Sequence, residues 1–105
     1  MAWVILVVAG VLEVVWAFYM KKSDGFTLAV PTAITLVAMI ASFALLSISM
    51  RTLPLGTAYA VWTGIGAIGA FLLGIVVLGE AATPMRLAAA ALIIAGIGLM
   101  KLASD

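Results

Sequence analysis

The sequence predicts an all-α membrane protein with four transmembrane helices per chain, and its charge balance is compatible with antiparallel (dual-topology) pairing into a homodimer. Two observations carry the helices and a third leaves both directions of insertion open. Hydrophobic residues make up 68% of the chain and charged residues only 9%, whereas a soluble domain carries about 25% charged residues. The apolar residues gather into four runs, at about 2–20, 26–50, 55–78 and 85–102, and a spanning helix needs roughly 17–25 of them. The lysines and arginines are divided almost evenly between the two ends of such a bundle, so neither direction of insertion is favoured.

The same composition excludes several classes of function. Net charge is +1, so no basic field points to nucleic acid. The chain has no cysteine and no histidine. That removes disulfides, thiol nucleophiles and the commonest metal ligand and general base. No metal, no cofactor and no catalysis are expected, since no nucleophile–base pair is visible. The whole chain is read as one four-helix domain, 1–105.

The first run reads as a span rather than a cleaved leader, because Lys21 and Lys22 follow it and no basic region precedes it. Its separator, KKSDG, offers Ser23 or Asp24 as a cap for the second helix. Pro31, inside the second run, is placed to kink it, which membrane helices tolerate. Pro54 suits the first turn of the third helix. Thr83-Pro84 forms a cap-and-proline start for the fourth.

Glu13 is the most informative residue. It stands inside GVLEVVWAFYM, where an ionised side chain at mid-membrane costs about 2.5–3.5 kcal/mol. No Lys or Arg lies inside a run to pair with it. The acid is therefore expected to face protein or a water-filled cavity, where a proton can be exchanged for another cation. On its own helix face stand Ala9, Gly10, Trp16 and Ala17, at spacings of three and four. Three of these are small, which leaves room for a ligand. Trp16 can donate its indole N–H or offer a π face to a cation.

The second run places Thr35, Ser42 and Ser49 seven residues apart on one face, completed by Met39 and Leu46. Such hydroxyls either bond the preceding turn or line a polar path. Ser42, the central one, is the expected partner of the acid. The third run supplies Tyr59 and Trp62, a further aromatic pair for a cation site. It also contains GIGAIG, which matches a dinucleotide-binding pattern. That pattern needs a strand before it and an acid after it, so here the glycines mean close helix approach. Gly56, Ala60, Thr63, Ala67, Ala70 and Gly74 add a small-residue stripe. The fourth run carries two small stripes, Ala88/Ala91/Ala95/Gly98 and Ala89/Gly96. Either suits a subunit contact, and periodicity does not choose between them.

One interior carboxylate per chain is little machinery for exchange. A two-fold dimer brings two to one site, where their titrations couple. Lys21, Lys22 and Arg86 lie at one end, against Arg51 and Lys101 at the other. A chain that inserts both ways can dimerise antiparallel, which produces the inverted repeat used for alternating access.

The lone Glu13 in the first helix, AYAVWTGIGA in the third and LGE in the last loop resemble the small multidrug resistance transporters over the whole chain. GVLEVVWA around the acid, Ser42 and Lys101 are similar to the guanidinium-exporting subtype. The resemblance implies an antiparallel homodimer in the bacterial inner membrane, whose partners are a second copy, protons and guanidinium-type cations. It implies that protons and substrate compete for the paired Glu13 carboxylates. Trp16 and Ser42 would be their hydrogen-bond partners, Tyr59 a gating or coordinating hydroxyl and Trp62 a cavity wall. Gly10, Ala17, Met39 and Thr63 would line the site, and Ala89 and Gly96 would form the dimer contact. Guanidinium suits such a site because it is planar and presents paired donors to a carboxylate. The alternatives are export of hydrophobic quaternary ammonium drugs, or a small structural subunit of a membrane complex.

Overall fold

The computed structural model of the chain describes residues 1–104, Ser104 by its backbone alone. Four helices follow one another: α1 (Ala2–Lys22), α2 (Ala29–Ser49), α3 (Leu55–Val76) and α4 (Pro84–Ser104). All four are long and apolar enough to cross a membrane. Apolar side chains such as Val4, Val37, Ile40, Leu92 and Leu99 are exposed on the outside. In water such a surface would be untenable, and in lipid it is matched.

The turns are built differently from the sequence expectation. Ser23 is completely buried, but it closes α1 rather than opening α2. Its backbone amide donates to the Tyr19 carbonyl at 2.8 Å. Its hydroxyl donates to the Met20 carbonyl at 2.6 Å and accepts from the Phe26 amide at 3.0 Å. Asp24, Gly25 and Phe26 then all adopt left-handed backbone, with φ of 52°, 69° and 67°. That geometry suits glycine and is costly for a bulky residue. The left-handed stretch delays α2 until Ala29, and its cap position falls on Leu28, which has no side chain to bond the helix. Neither Ser23 nor Asp24 caps α2.

Pro31 is consequently the third residue of α2. Its missing N–H falls among first-turn amides that lack an intrahelical acceptor anyway, so it starts the helix instead of kinking it. Pro54 stands one position before α3, as its cap residue. At α4, Pro84 is the first helical residue and the Thr83 hydroxyl accepts the Arg86 amide at 3.2 Å.

α1 is central. It packs against α2 and α3, while α4 packs along α3 and meets α1 where the Lys101 head lies 4.8 Å from the Trp3 ring centroid. A core of Leu6, Ala9, Leu46, Ala58, Val61 and Trp62 fills the end near Arg51. No residue of the membrane-length stretch of α4 is buried. The protomer measures 41 × 34 × 16 Å. Its thin dimension is less than two helix diameters of about 10–12 Å. A slab this thin cannot wrap a cavity on all sides.

Candidate cation-binding site

Glu13 lies one turn beyond Ala9, at the inner edge of the core, on the side of α1 that meets α3. Opposite it is Gly66, where an added Cβ would overlap the Glu13 carboxyl group. Two more glycines of GIGAIG meet side chains in the same way. A Cβ on Gly64 would lie 2.8 Å from Ile97 of α4. One on Gly69 would overlap Val14 of α1. The motif is a packing device that faces a different neighbour at each step.

One carboxylate oxygen of Glu13 is buried without a hydrogen-bond partner, and so is the indole N–H of Trp16. A buried orphan costs about 1–3 kcal/mol, more when charged, so such groups in a native chain call for a reason. Here an orphan acceptor and an orphan donor stand three residues apart on one helix face. They are not paired with each other.

Ser42 is buried and does not bond Glu13. Its proton goes to the Ala9 carbonyl at 2.7 Å, and its oxygen accepts the Trp62 indole N–H at 2.9 Å. A hydroxyl has one proton, and Ala9 has taken it. Ala9 is one turn before Glu13, so the link from α3 through α2 buttresses the turn of α1 that carries the acid. Thr35 and Ser49, on the same face of α2, are equally buried but only bond their own helix, to Pro31 at 2.8 Å and Leu46 at 2.7 Å. Of the three hydroxyls, Ser42 is the one that crosses to another helix.

The aromatic residues form a chain. Trp16 meets Phe43 edge-on with centroids 6.3 Å apart, Phe43 meets Trp62 at 5.7 Å, and Trp62 meets Tyr59 at 5.6 Å. Phe43 was not picked out from the sequence, although it follows Ser42 directly and is the sole aromatic of α2. Gly66 was also missed as a neighbour of the acid, since it was read only as part of a false motif.

The other expected residues are scattered. Gly10 is buried, and a Cβ there would lie 2.6 Å from Ile65. Ala17 and Met39 are half-buried, whereas Tyr59 and Thr63 are exposed. Thr63, with Gly56, Ala60 and Ala67, faces outward rather than into the protomer's own packing. Ala89 and Gly96 are exposed, as are Ala88, Ala91, Ala95 and Gly98, so burial does not choose between the two stripes of α4. Among the described residues, no three carboxylate, cysteine or histidine side chains gather at a point where they could hold a metal ion.

Residues 1–93 match the small multidrug resistance protein family. The chain belongs to that family. A relative named guanidinium exporter, from Escherichia coli (strain K12), is 60% identical over 104 residues and 99% of each chain. Relatives of the same name from Citrobacter freundii and Salmonella typhimurium are 58% identical over the same share. As a member of the small multidrug resistance family, the chain is a multi-pass transmembrane transporter.

Proposed function

We propose that the chain is a proton-coupled antiporter that exports guanidinium and related small guanidinyl cations across the bacterial inner membrane. The observation that carries this reading is the buried, unpartnered oxygen of Glu13 in a helix bundle whose relatives are named guanidinium exporters. The working unit is an antiparallel homodimer. A slab 16 Å thick leaves Glu13 at a boundary that a second copy would close, with two carboxylates at one site.

Those carboxylates hold protons or one cation, but not both. Bound protons neutralise the pair and release the substrate on the side where protons are abundant. Departing protons restore the charge that takes up the next cation. A guanidinium presents N–H donors to the carboxylates along its edges and its flat face to an aromatic ring. Trp16 can turn its free N–H to an ionised carboxylate. Trp62 forms the wall and Tyr59, exposed at the end of the aromatic chain, gates it. Ser42 acts by holding Trp62 and α1 in place. Gly10, Ala17, Met39 and Thr63 line the dimer's cavity, and Ala89 and Gly96 form the contact between copies.

The test is solid-supported membrane electrophysiology on reconstituted protein, with guanidinium and tetramethylammonium compared side by side. Guanidinium currents that exceed those of tetramethylammonium support this reading. The reverse order would assign the chain to export of quaternary ammonium drugs.

A further inference from the structure

Arg86 carries a guanidinium head, and the loop after α3 gathers three groups around it. Nη2 lies 4.0 Å from Oε1 of Glu80. Nη1 donates to the Ala81 carbonyl. The guanidinium carbon sits 5.0 Å from the centroid of the Phe71 ring. A carboxylate, a carbonyl and an aromatic face are the partners that a planar, multiply donating cation uses.

The loop is shaped to present them. Gly79 takes a left-handed turn with φ of 71°, which glycine adopts freely. The Glu80 amide then donates to the Gly74 carbonyl at 2.9 Å. The Glu80 carboxyl lies over Gly74, where a Cβ would overlap it. The Arg86 and Glu80 side chains remain 39% and 41% exposed. An exposed ion pair contributes only about 0–1 kcal/mol, so nothing locks the arginine in.

Glu80 stands at the outer end of a groove between α1 and α3, lined by Ala17, Phe18, Lys21, Ala70 and Gly74 among others, while Phe71 and Arg86 line the neighbouring groove between α3 and α4. On α1, Glu13, Ala17 and Lys21 are four residues apart. On α3, Gly66, Ala70 and Gly74 are too. The groove therefore runs from the loop to within one helical turn, about 5.4 Å of rise, of the Glu13–Gly66 contact. Lys21 on its wall opposes long residence of a cation.

We propose that Glu80, the Ala81 carbonyl and Phe71 form a second, transient site for guanidinium-type cations, occupied by the chain's own Arg86 until a free cation displaces it. The arginine is a tethered competitor, with an effective concentration of order millimolar. Free guanidinium therefore binds weakly while Arg86 is present and more tightly once it is removed. The site itself stands on the loop geometry. Its role as a stop on the way to Glu13 rests on the export reading.

The test uses Glu13→Gln protein in detergent micelles, so that the inner acid cannot report. Guanidinium chloride is titrated while the backbone amides of Phe71, Glu80 and Ala81 are followed by NMR, with sodium chloride at equal ionic strength as the control. Adding Arg86→Ala should tighten the apparent affinity about two- to sixfold, the range that a tethered competitor held by up to about 1 kcal/mol allows. Adding Glu80→Gln to that variant should abolish saturable shifts. Shifts no larger than those from sodium chloride, or shifts that survive Glu80→Gln, would overturn the proposal. Should Arg86→Ala not fold, Arg86→Lys keeps the charge but loses the planar fork, and the same two outcomes apply. Because Glu13 is absent throughout, a negative result leaves the export reading untouched. Failure of guanidinium export in the unaltered protein would likewise leave the outer site standing.

Discussion

Trp62 and Ser42 join α3 to α2 through a side-chain hydrogen bond, with the indole N–H donor 2.9 Å from the hydroxyl oxygen. Ser42 passes its own proton on to the Ala9 carbonyl. Three helices thus meet through a single oxygen.

Ser42→Ala removes that oxygen and leaves a buried indole N–H without an acceptor. The cost should be about 1–3 kcal/mol, measurable as a lower midpoint of unfolding in detergent. Guanidinium binding should weaken more than binding of a hydrophobic quaternary ammonium, because the polar network that sets α1 against α3 is lost. Equal losses for the two ligands would mean that Ser42 only packs.

Glu13→Gln keeps the volume of the acid and removes its charge. The variant should fold and dimerise but carry no proton-coupled current. In the unaltered protein the apparent Kd for guanidinium should rise as pH falls, by up to about tenfold per pH unit for each proton displaced. A Kd independent of pH across the working range would separate substrate from proton and sink the shared-site mechanism.

Gly66→Ala places a methyl group where the Glu13 carboxyl lies. Guanidinium binding should fall at least tenfold. Gly98→Ala, on α4, meets nothing within 4 Å in the protomer and should leave guanidinium binding within about twofold of the parent, about 0.5 kcal/mol. Calorimetric titration of both variants checks the contrast. Undiminished binding by Gly66→Ala would show that the acid does not work from its position against α3.

Orientation should respond to small charge changes. Lysines at Ala81 and Ala82 add to the end that holds Lys21, Lys22 and Arg86. Lysines at Thr52 and Leu55 add to the Arg51 end. Each variant alone should insert one way and transport poorly, and the two expressed together should recover activity. An Ala103→Cys label reads out the facing, since the chain has no cysteine of its own. If the parent shows that thiol on one face only while remaining active, the dimer is not antiparallel.

The fold was largely legible because lipid imposes a simple rule. Apolar runs of spanning length become helices, and all four did. A carboxylate inside such a run stands out, which is why Glu13 is singled out at once. Ser42 stands out as the central hydroxyl of its face, but its bonds, to Ala9 and Trp62 rather than to the acid, do not. A one-dimensional pattern cannot say whether its proton goes to a carboxylate or to a carbonyl one turn away. Phe43 and Gly66 escaped notice because a membrane run is full of apolar and small residues, and only their neighbours give them meaning. The turn at Asp24–Phe26 was missed for another reason. Only Gly25 signals left-handed backbone by its residue type, and its two neighbours are drawn into it by the bonds that Ser23 makes.

The thinness of the protomer has a consequence for how activity scales. On the proposed dimeric reading, a slab 16 Å across has no compartment of its own, so two chains would have to collide in the plane of the bilayer before any cation is enclosed. When copies are sparse, flux should then follow the square of their surface density, and it should become proportional to density once nearly every copy is paired. Diluting the protein with lipid at constant total amount would reveal the crossover. In a cell, the threshold for resistance would be set by crowding in the membrane as much as by the chemistry of one acid.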